Sequence, residues 1–480
     1  MCHRSLLRSS ALLLPLLLAA CDASSPRASD DPVAPGDAGP SPDAEPTADA
    51  GGIPIAESKL ARTPASAVPI ASLDGAVAAN NAFALDLYSQ ARAKLPGAAS
   101  SNVLTSPLSA SLALTMTYAG ANGQTATQMA TALHYGSAAA TIFEGQNSLS
   151  QALASRAPAA LAADQQTASE SGQPAPAPTD YQMQIVNSVW GEQTYAWEKP
   201  FLDVLASDYG TGVYLQDFVG EFAQARITIN NWVSTETADK INDLLPLGSL
   251  DSSTAMVLVN AVHLKMPWAS PFTASQTAPA TFTRVDGSTV SPPFMNQTAT
   301  YPYVDDGKAQ IVGLPLSGGQ LALVVALPHG DLATYEAGLA AGTDAVAEPT
   351  GTALVQLALP KFSFTSATFS LATALQAMGM PLAFNQGGPA DFSGLAPVAP
   401  GKLHISDVLQ KAMVAVQENG VEAAAATAVI LDGASGSTGS GPVPVPVVVN
   451  RPFVLSIVDV PTGAVLFVGH IVDPTNLGSP

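Results

Sequence analysis

The chain is short of cysteine, of cations and of charge altogether. Its 480 residues hold two cysteines, Cys2 and Cys21. Cys2 precedes an apolar run from Ala11 to Ala20, so a chain shortened behind that run keeps Cys21 alone. An intramolecular disulfide is then excluded, and stability must come from the core. Lys and Arg total 18 against 38 Asp and Glu, giving a formal charge of -20. Phosphate binding needs clustered cations, which excludes nucleic acid as a partner. The six histidines (His3, His134, His263, His329, His404, His470) include no pair at metal-ligand spacing on a helix. A Gly-x-Ser-x-Gly elbow, a phosphate loop and a dinucleotide fingerprint are all missing. Serines abound, but a nucleophile needs a placed base. These gaps point away from an enzyme, a metal or a bound cofactor.

What is present begins with an export signal. Arg4 and Arg8 precede the Ala11–Ala20 run, which Pro15 breaks and which is too short to span a bilayer, so residues 1–20 read as a signal peptide. The run ends Leu18-Ala-Ala-Cys21, which resembles a bacterial lipobox. That likeness implies a lipid on the Cys21 thiol and a protein held in the bacterial envelope, facing periplasm or exterior. The alternative is an ordinary secretory signal with a cysteine beside it. Residues 21–71 are rich in Pro, Ala, Gly and Asp and read as a disordered tether. As a flexible coil of about 50 residues it would place the domain on the order of 40 Å from its anchor.

From residue 72 the pattern becomes globular. Phe83, Leu87, Ala91 and Leu95, with Ala84 and Tyr88, form a helical stripe. Ser106 suits an N-cap before Pro107, with Leu108, Leu112 and Met116 along a buried helix, and Thr125 and Gln128 have capping-box spacing. Ala255–Leu264 and Leu321–Leu327 suit doubly buried strands, the second after a Gly318-Gly319 turn. The end reads as a hairpin, Phe453–Val460 and Ala464–Val468, about Pro461-Thr-Gly463. Helices first and sheets later predict an α+β fold. Residues 155–180 show no clear period and read as a surface insertion, with Arg156 its one cation.

Glu418-Asn-Gly-Val-Glu-Ala-Ala-Ala-Ala-Thr427 is a run of small residues before a Gly/Ser/Pro stretch. As a strand, Val421, Ala423, Ala425, Thr427, Val429 and Leu431 share one face, and Glu422, Ala424, Ala426, Ala428, Ile430 and Asp432 the other. Taken alone the run suits an alanine-rich helix better, alanine being the best helix former.

Its flanks decide between the two, because they resemble the serpin family. Asn450-Arg-Pro-Phe453, Pro461-Thr-Gly463, Leu466-Phe-Val-Gly469 and Val472-Asp-Pro474 are similar to the family's closing signature. Asn102-Val-Leu-Thr-Ser-Pro-Leu-Ser109, Ile229-Asn-Asn-Trp-Val233, Val259-Asn-Ala261 with Trp268 and Phe272, Leu359-Pro-Lys-Phe362, Met378-Gly-Met380 with Phe384, and Ala390-Asp-Phe-Ser393 match in family order across about residues 72–475.

The resemblance implies a serpin domain over 72–480 with an exposed, mobile reactive-centre loop at 418–451. It implies inhibition of serine proteases by suicide-substrate trapping, in which the cut loop inserts into the main sheet. Glu418, Gly420, Val421, Ala423, Ala424, Ala425, Ala426 and Thr427 become the hinge, with Val421 the first side chain to enter the sheet and Glu422 on the outer face, where a charge change is tolerated. Counting from Glu418 puts the reactive bond at Ala434-Ser435, with Leu431 next in line. Small residues there suit elastase-like or subtilisin-like proteases. Lys361 and Trp268 belong to the breach, Ser106, Ser109 and Asn260 to the shutter, and Gln410 replaces a histidine common there. The partners implied are the target protease and, through the anchor alone, a membrane, for a monomer without a heparin-type cofactor. The alternatives are a non-inhibitory binding module and an inhibitor of papain-like cysteine proteases.

Overall fold

A computed structural model describes residues 47–478 except Pro96, Ser137, 340–345 and 423–441. The signal peptide, Cys21 and the tether up to residue 46 lie outside the described residues.

Residues 70–171 are largely helical. Helix α1 (Ile70–Lys94) turns Phe83, Ala84, Leu87, Tyr88 and Ala91 inward and sets Arg92 and Lys94 in its last turn, against the negative end of the helix dipole. Helix α2 (Pro107–Tyr118) is buried nearly all round. Helices α3 (Gly123–Ala132) and α4 (Ala139–Ala154) follow. Two expected caps are not made. Ser106 does precede α2, but its hydroxyl donates to the Leu466 carbonyl at 2.9 Å and caps nothing. Thr125 and Gln128 lie inside α3, where their oxygens accept from the backbone N–H of Asp391 and Leu382. In each case a tertiary partner outcompetes the local one.

Residues 155–180 are not irregular. Most form α5 (Arg156–Ser171), which buries Ala157, Ala160 and Ala168 and stops at left-handed Gly172. Alanine carries the helix without a bulky stripe, which is why no period shows in the sequence. Helices α6 (Lys199–Val204) and α7 (Phe218–Glu236) come later.

The main sheet is nine-stranded among the described residues. Its strands are β1 (Thr47–Ala48), β2 (Pro54–Ala56), β3 (Gln182–Glu192), β4 (Val213–Gln216), β5 (Met256–Pro267), β6 (Phe362–Thr365), β7 (Val408–Gln417) and β8 (Gly420–Val421), in the order β1-β2-β4-β3-β5-β8-β7-β6, with Phe369–Ser370 also on β7. The expected tether is therefore too long. Ile55 and Ala56 are buried where β2 pairs with β4, and Arg62 Nε donates to Asn147 at 2.9 Å. The short apolar stretch Ile53–Ala56 supplies what the acidic segment before it lacks.

A second sheet runs Val445–Val448, Thr352–Pro360, Pro293–Asp305, Ala309–Pro315, Leu321–Pro328, Phe453–Asp459, Ala464–Ile471 and Val103–Thr105. The last hairpin and the Gly318-Gly319 turn sit where the sequence put them, both glycines having positive φ. The fold is α+β. On β5, Leu258, Val262, Leu264 and Met266 face the core above α2, while Val257, Val259 and Ala261 alternate to the outer face, under Ala225, Ile229 and Val233 of α7.

Candidate functional site

The site is a fork in the middle of the main sheet. Strands β5 and β7 run parallel and pair directly from Leu258↔Val408 to Val262↔Ala412. Beyond that they part, and β8 lies between them, antiparallel to both, with Val421 opposite Met266 and Val416 and Gly420 opposite Pro267 and Gln417. The chain turns back after β7 and enters the gap it has just helped to form.

Gly420 makes this possible, since a β-carbon there would stand 2.2 Å from the Met266 carbonyl oxygen. Val421 is buried at 1% exposure on the core face. It is therefore not a side chain still waiting to enter, because the fork already holds it in the intact chain. Glu422 is on the outer face as expected, but that face is covered here. The residue is 8% exposed, with φ at +48°, and its backbone N–H donates to Ala415 O at 2.6 Å. Its carboxylate meets Lys240 Nζ at 2.7 Å and His263 Nε2 at 2.6 Å. Burial pushes this carboxyl up, but the His263 and Lys240 contacts outweigh it and leave it below the usual carboxylate range. The expectation that a reversed charge is tolerated at 422 is corrected by that geometry: an arginine would face Lys240 and His263.

The rim of the fork is pinned twice. Glu418 Oε2 accepts from Lys361 Nζ at 2.8 Å. Burial raises the Glu418 carboxyl, and the Lys361 bond with its smaller companions more than reverses that. Trp268, 3% exposed, donates from Nε1 to Gln417 O at 2.7 Å and from its backbone N–H to Asn419 O at 2.9 Å.

The closed end is held from beneath. Gln410 Nε2 donates to Ser106 O at 2.8 Å and to Asn260 Oδ1 at 3.1 Å, and its Oε1 accepts from Ser106 N. The glutamine thus binds the first turn of α2 to both strands. The Ser109 hydroxyl lies 2.9 Å from the Asn187 amide group on β3. Asn260 Nδ2 is buried without an acceptor among the described residues.

The structure thus gathers Glu418, Gly420, Val421, Lys361 and Trp268 at the mouth of the fork and Ser106, Ser109, Asn260 and Gln410 below it. Ala423, Ala424, Ala425, Ala426 and Thr427, the Ala434-Ser435 bond and Leu431 lie outside the described residues. Sequence reasoning missed Lys240 and His263, which lie far apart in the chain and share no motif. Among the described residues no cluster of three His, Cys, Asp or Glu is placed to hold a metal, and no helix is long and apolar enough to cross a membrane.

Comparison with known proteins agrees with this architecture. The family model "Serpin (serine protease inhibitor)" matches residues 78–474. A serpin-like protein of Thermococcus kodakarensis is 33% identical over 404 residues, 83% of this chain and 85% of its own. Serpin B3 of Homo sapiens is 31% identical over 413 residues, 82% of this chain and 98% of its own. Among solved structures, the thermophilic serpin tengpin in its native state superposes with a TM-score of 0.68 at 25% identity, over 86% of this chain and 96% of that one. The complex of thyroxine-binding globulin with thyroxine gives 0.66 at 26% identity, over 85% and 100%. From the strand order through the pinned fork to the matched signature, this chain belongs to the serpin family.

Proposed function

We propose that this protein inhibits serine proteases as a suicide substrate. The protease attacks the loop, forms its acyl-enzyme at Ala434-Ser435, and is carried along when the freed loop enters the main sheet as a new strand, distorting the protease's own catalytic residues. The observation that carries this reading is the half-filled fork: β8 occupies its mouth with hydrogen bonds on both sides, and β5 and β7 meet only below it.

Extending the β8 register predicts the path. Ala423 follows opposite Leu264 and Val414, Ala425 opposite Val262 and Ala412, and Thr427 opposite Asn260 and Gln410. The direct β5–β7 ladder is exchanged for two ladders to the inserted strand, so backbone bonds are gained. The side chains passing over α2 are methyl groups, and each further methylene of bulk in a packed core would cost. Thr427 arrives at the shutter with a hydroxyl that can replace Gln410 as partner of Asn260 and serve the idle Asn260 Nδ2.

Small residues at the reactive bond suit elastase-like or subtilisin-like targets. The same family includes thyroxine-binding globulin, solved with thyroxine, so a binding module is the competing reading; the uncharged, unbranched 423–426 run favours insertion. Arg156, the one cation of α5, is committed to the buried Asp459 at 2.7 Å, which speaks against a polyanion cofactor docking there. Incubation with a panel of elastase-like, subtilisin-like, trypsin-like and papain-like proteases tests the reading. A complex that survives SDS with one of the first two supports it, and cleavage without a complex across the panel overturns it.

A further inference from the structure

Glu422 sits at the junction of the three elements that must separate for a strand to enter the fork. Its N–H is bonded to β7 through Ala415 O, His263 holds one carboxylate oxygen from β5, and Lys240 holds the other from the segment behind α7. A non-glycine residue at φ +48° is held against its own backbone preference, so the ion pairs are what keep it seated. The other ionisable groups around it have partners. Lys411 on β7 donates to Asn242 O and has Asp243 near it, Lys265 on β5 pairs with Asp180, and Asp239, next to Lys240, accepts from the Ser234 hydroxyl. Behind His263, Nδ1 lies 3.2 Å from the neutral Gln184 amide on β3.

We propose that Lys240 and His263 are positioning residues for inhibition: they seat Glu422 in the fork, so fixing how far the loop enters before cleavage. The proposal rests on the inhibitory reading above for its consequence, but the seat itself can be measured without a protease. Lys240 and His263 approach the two carboxylate oxygens from separate elements, so together they fix where the Glu422 side chain sits.

Amide hydrogen exchange at Glu422, corrected for intrinsic rate, tests this on the full chain in wild type, His263→Gln and Lys240→Gln, with the Val454 and Leu455 amides as a control for intact folding. Each substitution is expected to lower protection at Glu422 about tenfold, on the order of one charge-assisted hydrogen bond, while Lys240→Arg, which keeps the cation, should retain it. Unchanged protection in His263→Gln and Lys240→Gln, or the same loss in Lys240→Arg, would overturn the seat. Protease adducts formed with an unchanged seat would sink this proposal alone; an intact seat without adducts would sink the inhibitory reading alone.

Discussion

Gln410 and Asn260 face each other across β7 and β5 and share a 3.1 Å hydrogen bond that closes the lower half of the fork. On the proposed mechanism the loop must break it to pass, so the bond restrains the sheet directly beneath β8.

Gln410→Ala should loosen that closure. It leaves the Ser106 N–H and the Asn260 amide buried without partners, at a cost of about 1–3 kcal/mol. A lower melting temperature is expected for the intact protein, with faster loss of inhibitory activity on storage at 37 °C; unchanged values for both would remove Gln410 from the account.

Val421→Arg should turn the inhibitor into a substrate. An arginine is displaced from this core seat in the intact protein, and burying its unpaired charge when the loop inserts costs several kcal/mol, so insertion slows while deacylation does not. Glu422→Arg is expected to harm as well, because it sets a second cation beside Lys240 and takes the carboxylate away from His263. Gel assays of complex against cleaved product would check both, and wild-type partitioning in Val421→Arg would contradict the mechanism.

The pH dependence follows from the two depressed carboxyls of the hinge. Glu418 and Glu422 both lie below the ordinary glutamate value in the folded protein. Their contribution is therefore present above the unfolded value, about 4.3, and is lost as pH falls through the folded one. Glu418→Gln should thus be less stable than wild type at neutral pH, and the two should converge below about pH 4. Denaturant titrations at a series of pH values would show this.

How much of this was legible in the sequence depended on where the stabilising partner lies. Met256–Pro267 and Leu321–Pro328 announced themselves because strands buried on both faces must be apolar throughout. The hinge was legible only through its resemblance to a family, since alanines serve a helix as well as a strand. Helix α5 was hidden by the same ambiguity. Ser106, Thr125 and Gln128 misled because each spends its hydrogen bonds on a distant segment. Strand β2 rests on Ile53–Ala56, too short a stretch to stand out from a Pro- and Asp-rich surround. The Lys240–Glu422–His263 seat is made by three residues from separate elements, and no local pattern marks such a meeting.

At the N-terminus, the likeness of Leu18-Ala-Ala-Cys21 to a bacterial lipobox predicts a diacylglyceryl group on Cys21 and a mature chain that starts there. Mass spectrometry of the protein from its native membranes should find that modification; an unmodified terminus beyond residue 21 would contradict it.

The released C-terminal fragment should begin at Ser435 after reaction with an elastase-like or subtilisin-like protease. N-terminal sequencing reads this directly. A stable complex cut upstream of Leu431 would show that the count from Glu418 does not apply to this loop.

The most direct test of loop insertion is the melting temperature of the protein before and after a single cut in the loop at 434–435. A loop that completes the β5–β8–β7 ladder leaves the trapped native state for one of lower free energy, so the cleaved protein is predicted to melt well above the intact one. An unchanged or lower melting temperature after cleavage would mean that the fork does not accept the loop, and would contradict the account.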